Sequence, residues 1–218
     1  MRSLVPGLTG MLEDRPFAFF GHCLGGLTMF EVTRYVMEET PYRPTHVFAS
    51  GTRTPDRLVL TDEFERALMD DVLRKEGFVV SRALYEQDDA VFADGIRHFN
   101  IDATESLLAD PSLRSLLLPT IRAEFEMAYR YRFQPTAAWD VPIVCFAGSQ
   151  DTYATRDDML EWRRFTASSF QLFLRQGAHF LLLDDKPFLH RIIARELADV
   201  DASMDPAAAG QRSPVPVA

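Results

Sequence analysis

One ten-residue segment constrains this chain more than any other: Phe17-Ala18-Phe19-Phe20-Gly21-His22-Cys23-Leu24-Gly25-Gly26. Its apolar first half reads as a buried strand, and the run from Gly25 to Glu39 reads as a helix with few polar residues on any face. A strand that passes directly into a helix implies a parallel neighbour, because the helix carries the chain back across the sheet before the next strand begins. Between strand and helix lies Gly21-x-Cys23-x-Gly25, the pattern of a sharp nucleophile turn with Cys at its centre. Such a turn strains its central residue, and side chains two positions before and after it collide unless they are glycine; Gly21 and Gly25 answer that requirement. The central residue also sits at the positive end of the helix dipole, which favours a thiolate and an oxyanion.

The same alternation recurs along the chain. The strand at Phe17 to Phe20 is joined by apolar runs at Thr45 to Ser50, Val141 to Ala147 and Phe170 to Leu174, each short enough for a buried strand. Helical patterns follow the last two, at Thr155 to Phe165 and Pro187 to Val200. The expected architecture is α/β, a parallel sheet with flanking helices. A length of 218 residues suits one domain with an insertion, and residues 51 to 140 supply it. That stretch reads as helical at Thr61 to Lys75, Ser81 to Ala93 and Pro111 to Arg132, the last with Leu113, Leu116, Leu117, Thr120, Ile121, Glu124, Phe125 and Ala128 near one face. We expect it to form a lid, spanning about residues 55 to 136 of a domain covering residues 1 to 200. Residues 201 to 218 hold almost no large apolar side chain and are expected to be a disordered tail.

Charge and composition remove several function classes. Lys and Arg total 23 against 32 Asp and Glu, a net charge of −9, which disfavours nucleic acid and anionic membranes as partners. No apolar run reaches the 18 or so residues of a membrane helix, and Pro6-Gly7 interrupts the place where a signal peptide would be apolar. A cytoplasmic location is expected, with Cys23 and Cys145 as free thiols. The five His show no close metal-ligand spacing, and the clustered glycines fit no phosphate-binding loop. No metal or cofactor is expected.

A nucleophile at Cys23 needs a base and a carboxylate that orients it, which in hydrolase chain order follow as acid and then His. Asp151 falls in the turn after the strand Val141 to Ala147. His179 falls in the loop after Phe170 to Leu174, at the same carboxyl edge of the sheet. The Leu24 N–H is the candidate oxyanion donor. His22, His46, His98 and His190 read as structural, Cys145 as a core residue, and Asp184 and Asp185 as the start of the last helix.

With these residues in place, the chain resembles the type II thioesterases of nonribosomal peptide and polyketide synthesis, members of the α/β-hydrolase superfamily. The resemblance rests on RPFAFFGHCLGG, VFASGTR, LLADPSLRSLLLPTIRAEFEMAYRYRF, PIVCFAGSQD, the Trp162 helix and QGAHFLLL, and covers Leu4 to about Val200. It implies Cys23 as nucleophile, Asp151 as acid, His179 as base, and a helical lid. The implied reaction is hydrolysis of acyl groups misloaded on the phosphopantetheine arm of a carrier protein.

Two departures from the family pattern stand out. Cys23 replaces the family's Ser, so acylation from a thioester yields another thioester, and an acyltransferase passing the group to an amine or alcohol is the alternative reading. The chain also begins about a dozen residues before the nucleophile strand, where the family has further strands and the loop that donates the second oxyanion N–H. A shortened start is therefore expected, with Phe17, Phe19 and Phe20 exposed on an edge strand and one oxyanion donor lost, a loss on the order of 10²- to 10³-fold in turnover. A non-catalytic remnant is the third reading. Carrier proteins are commonly acidic, and Arg122, Arg130, Arg132, Arg163 and Arg164 are the candidates for a basic docking patch.

Overall fold

The computed structural model describes residues 5–12, 15–57, 84–97, 109–181 and 185–204. Its elements run α1 (Val5–Leu12), β1 (Phe19–His22), α2 (Gly25–Glu39), β2 (Val47–Ser50), a short 3-10 turn (Leu84–Glu86), α3 (Asp89–Arg97), α4 (Pro111–Arg130), β3 (Ile143–Gly148), α5 (Arg156–Leu160), a second 3-10 turn (Glu161–Phe165), β4 (Phe170–Arg175) and α6 (Lys186–Met204). The four strands form one parallel sheet in the order β1-β2-β3-β4.

Side chains alternate across this sheet, and both faces are covered, as a parallel sheet requires. Val47, Ala49, Ile143, Cys145 and Ala147 face a layer of Met29, Phe30, Trp139, Met159, Trp162 and Phe165. Phe48, Val144 and Phe146 face Phe188, Leu189 and Ile192 of α6. Cys145 is fully buried in this core.

Several boundaries differ from the sequence reading. β1 lies two residues later than Phe17–Phe20, because the ladder with β2 continues through Gly21↔Ala49 and His22↔Ser50 up to the Cys23 turn. β3 begins at Ile143 rather than Val141, since Pro142 has no N–H to give; its carbonyl accepts from Val47 N at 2.9 Å. The last helix runs on to Met204, into the segment assigned to the tail. Among the described strands β1 stands at the edge, as expected, but the rings of Phe17 and Phe19 pack with α1 and α2 around Leu12, Val32 and Val36, leaving Phe20 as the exposed ring of β1.

The insertion is helical where it is described. Thr61 to Lys75 lies outside the described residues, and Ser81 to Ala93 gives way to the turn Leu84–Glu86 and α3. α4 starts as its sequence suggests: Asp110 caps the N–H groups of Ser112 and Leu113 at 2.8 and 3.1 Å, and Pro111 occupies the first turn. Its buried stripe differs from the expected one. Leu118, Ile121 and Phe125 pack on Leu84, Phe92, Ala93 and Ile96, whereas Leu113 and Leu116 are exposed. Ile121, Phe125 and Ala128 of the expected face are on the buried stripe, but a spacing of three from Ile121 carries that stripe back to Leu118, which the expected face omits, while Thr120 and Glu124 are exposed.

Candidate active site

Cys23 stands at the end of β1 with φ +53°, the one non-glycine residue with positive φ among those described. Its N–H donates to Ser50 O at 3.0 Å and its carbonyl accepts from Gly26 N at 3.0 Å, closing the turn on both sides. A Cβ on Gly21 would lie 2.6 Å from Gly25 O and 2.8 Å from Met29 Cβ. The second crowded position is Gly26, where a Cβ would lie 2.7 Å from Thr52 Cβ. Gly25, which the motif had nominated, is exposed and meets nothing within 4 Å. Helix packing against the Thr52 loop, not the turn itself, sets that second requirement. Leu24 occupies the N-cap of α2 without a side-chain cap, and the N–H groups of Gly26 and Leu27 bond back to Cys23 O and Leu24 O, so the Leu24 N–H itself is the candidate donor to an anion.

Asp151 and His179 are brought together by two stitched turns. Ser149 N donates to Arg175 O at 2.7 Å and Gln150 N to Gly177 O at 2.9 Å, tying the end of β3 to the loop after β4. His179 Nδ1 lies 2.9 Å from Asp151 Oδ2, with both residues buried. The other carboxylate oxygen, Oδ1, accepts from the N–H groups of Tyr153 and Ala154 at 2.8 and 3.0 Å. Burial works against the charge on Asp151, but the bond from His179 and these backbone donors outweigh it and hold its pKa below the ordinary value.

His179 is pushed the other way. Burial is again the largest influence and lowers its pKa, yet the Asp151 bond, followed by interaction with Cys23, raises it to about 9. The Cys23 thiol is thus close enough to couple to the imidazole, while His179 Nε2 is buried without a hydrogen bond of good geometry. The three residues nominated from the sequence therefore converge at the carboxyl edge of the sheet. Among the described residues no three His, Cys, Asp or Glu side chains converge as a metal site needs.

Two neighbours have no part in the site in the sequence reading, where His22 reads as structural and Tyr153 has no assigned role. The His22 ring centroid is 5.1 Å from that of His179, and Tyr153 meets His179 edge to face at 5.3 Å. The available signal was adjacency to Cys23 for His22 and, for Tyr153, a place two residues after Asp151. Burial first, and then the nearby His179, lower the His22 pKa to about 4; burial first, and then Cys23, raise that of Tyr153.

The insertion approaches the site from α4. Ala128, Phe125 and Tyr131 pack with Leu24 and Leu27 at the start of α2, and Tyr131 Oη donates to Glu31 at 2.6 Å. A cavity of about 590 Å³ between α3 and α4 is lined by residues such as Arg114, Leu118 and Glu126, none of them from the Cys23 site. Of the five candidate docking arginines, Arg122 is committed to Tyr85 O, Gln87 O and Asp89 and stacks on Phe92. Arg130 pairs with Glu126, Arg164 pairs with Asp56 and Glu161, and Arg132 bonds to carbonyls of Tyr129 and Tyr131. Arg163 is exposed.

A parallel sheet with a strained residue at one strand-to-helix turn, and an acid and a His at the next strand ends, is an α/β-hydrolase-type fold. The chain belongs to the thioesterase domain family, whose model matches residues 7–197. Linear gramicidin dehydrogenase LgrE of Brevibacillus parabrevis is 32% identical over 186 residues, covering 84% of this chain and 63% of that protein. Thioesterase PikA5 of Streptomyces venezuelae is 32% identical over 172 residues, covering 79% of this chain and 53% of that protein. Among solved structures, the RedJ thioesterase from the prodiginine biosynthetic pathway of Streptomyces coelicolor matches with a TM-score of 0.67 at 25% identity, covering 90% of this chain and 69% of that one. The chain thus spans between half and two thirds of the length of these two curated relatives. Among the described residues no helix is long and apolar enough to cross a membrane.

Proposed function

We propose that this chain hydrolyses acyl thioesters, removing acyl groups from the phosphopantetheine arm of carrier proteins in nonribosomal peptide or polyketide synthesis. The observation that carries the reading is the strained Cys23 coupled to a buried His179 whose far nitrogen is bonded to Asp151. Names of relatives add weight unevenly: LgrE carries an oxidoreductase name, PikA5 and RedJ thioesterase names. The chemistry of a strained thiol beside an acid-oriented imidazole is acyl transfer, in keeping with the latter two.

In this reading the Cys23 proton passes to His179 Nε2 before attack, the sulfur then adds to the thioester carbonyl, and the Leu24 N–H receives the developing oxyanion. Collapse breaks the bond to the pantetheine sulfur, which leaves with the proton from His179, and the acyl group stays on Cys23. Acylation removes the Cys23 charge, one of the influences that raise the His179 pKa. The imidazole is then a weaker acid trap and better able to stay neutral, as a base that takes a proton from water must be. Attack of that water releases the carboxylic acid and restores the thiol.

A second reading follows from the same sulfur. Exchange of one thioester for another is nearly isoenergetic, so an amine or alcohol can replace water in the second step, giving an acyltransferase. The test is Cys23→Ala in a folded chain with acyl-pantetheine: turnover should vanish, and unchanged turnover would reject the nucleophile. Adding an acceptor then separates the readings, since only a transferase yields acylated acceptor.

A further inference from the structure

Three rings surround the His179 imidazole: His22 at 5.1 Å between centroids, Tyr153 at 5.3 Å and Phe180 at 5.4 Å. His22 is tied directly to the sheet. It is the last residue of β1, and its Nδ1 lies 3.2 Å from Ser50 Oγ on β2. Its ring is held on further sides: Phe180 lies at 5.7 Å, and Gly51, with φ +50°, leaves room where a Cβ would lie 3.1 Å from His22 Cε1. We propose that His22 is a positioning residue for the base: held by Ser50, its neutral ring backs His179 and confines that imidazole to the rotamer in which Nδ1 meets Asp151 and Nε2 turns towards Cys23.

The argument is geometric. One hydrogen bond to Asp151 fixes the position of His179 Nδ1 but leaves the ring free to tilt about that contact. A flat ring packed at 42° against it removes this freedom, and the Ser50 bond stops the backing ring from turning in its own plane. Neutrality is part of the device. The titratable groups that act on His22 are His179 and Asp151, and its Nε2 is buried without a partner, so an imidazolium there would be unsolvated and would repel a protonated His179. Ser50 accordingly belongs to the same positioning set.

The proposal rests on the reading of His179 as the base for Cys23, and its test includes a readout that does not depend on turnover. In His22→Ala, kcat on acyl-pantetheine should fall about 10- to 100-fold with KM within about twofold, the scale of a base displaced by an ångström. The proton NMR resonance of the His179 Nδ1 proton, sharp and downfield in the parent, should broaden. His22→Phe, which restores a flat ring, should recover most of the lost rate, and Ser50→Ala should fall between. A His22→Ala variant with parental kcat and an intact resonance would overturn the proposal. If His22→Ala fails to fold by circular dichroism, Ser50→Ala decides: parental kcat and resonance there count equally against it. Loss of the base reading itself would appear elsewhere, as turnover surviving His179→Gln.

Discussion

At His179, burial and a carboxylate partner pull in opposite directions, and the partner wins. A folded-state pKa near 9 against an ordinary 6.5 means that the protonated imidazole stabilises the fold. That contribution is fully present below about pH 6.5 and is lost as pH rises through 9. The unfolding free energy from denaturant titrations should therefore decline between pH 6.5 and 9, by on the order of 1 to 3 kcal/mol, and the decline should be absent in His179→Gln. A flat parental profile over that window would contradict the assignment. Asp151, whose pKa is depressed, contributes in the opposite sense, above its ordinary carboxylate range, and loses its contribution on acidification. Asp151→Asn should lower kcat by about 10³- to 10⁴-fold, the cost of a mis-oriented imidazole, while near-parental turnover would reject its role. These three residues were legible in the chain because each follows an apolar run and has a chemically distinctive side chain. His22 and Ser50 were not, because what joins them to His179 is the strand register, which composition does not encode.

At the scale of elements, the turn after β1 was legible and its supports only partly so. Gly21 is required by contacts within the turn, but Gly26 is required by Thr52, 26 positions on in the chain, and no local pattern announces such a contact. Gly26→Ala should cost about 1 to 3 kcal/mol and reduce turnover, because backbone must move to admit the methyl. Gly25→Ala should be tolerated, and helix propensity even favours it. Thermal unfolding of the pair checks this; equal losses would contradict the packing. The Tyr131 tether follows the same logic. It joins the residue after α4 to Glu31 of α2, which in turn holds Arg34 at 2.7 Å. Tyr131→Phe should cost about 1 to 3 kcal/mol by leaving a half-buried carboxylate short of a donor. The four strands and the helices beginning near Gly25, Pro111, Thr155 and Pro187 were read from periodicity, whereas α1 was not, and the buried stripe of α4 was read only in part because apolar residues occupy more than one of its faces.

For the whole molecule, the proposed carrier-protein substrate raises the question of how a chain of net charge −9 would meet an acidic partner. Most of the candidate arginines are engaged within the chain, so Arg163 carries what remains of that proposal. Arg163→Glu should raise KM for a carrier-bound acyl group and leave KM for free acyl-pantetheine unchanged; equal KM values with both substrates would remove Arg163 from the docking surface. The central claim, that Cys23 carries the acyl group and water removes it, is tested most directly by intact mass. The chain is mixed with a short acyl-pantetheine and followed in time beside Cys23→Ala. The account predicts an acyl adduct that forms on the parent alone and decays in water with release of free acid. A folded parent chain that never acquires the adduct, or a Cys23→Ala variant that acquires it equally, would contradict the account.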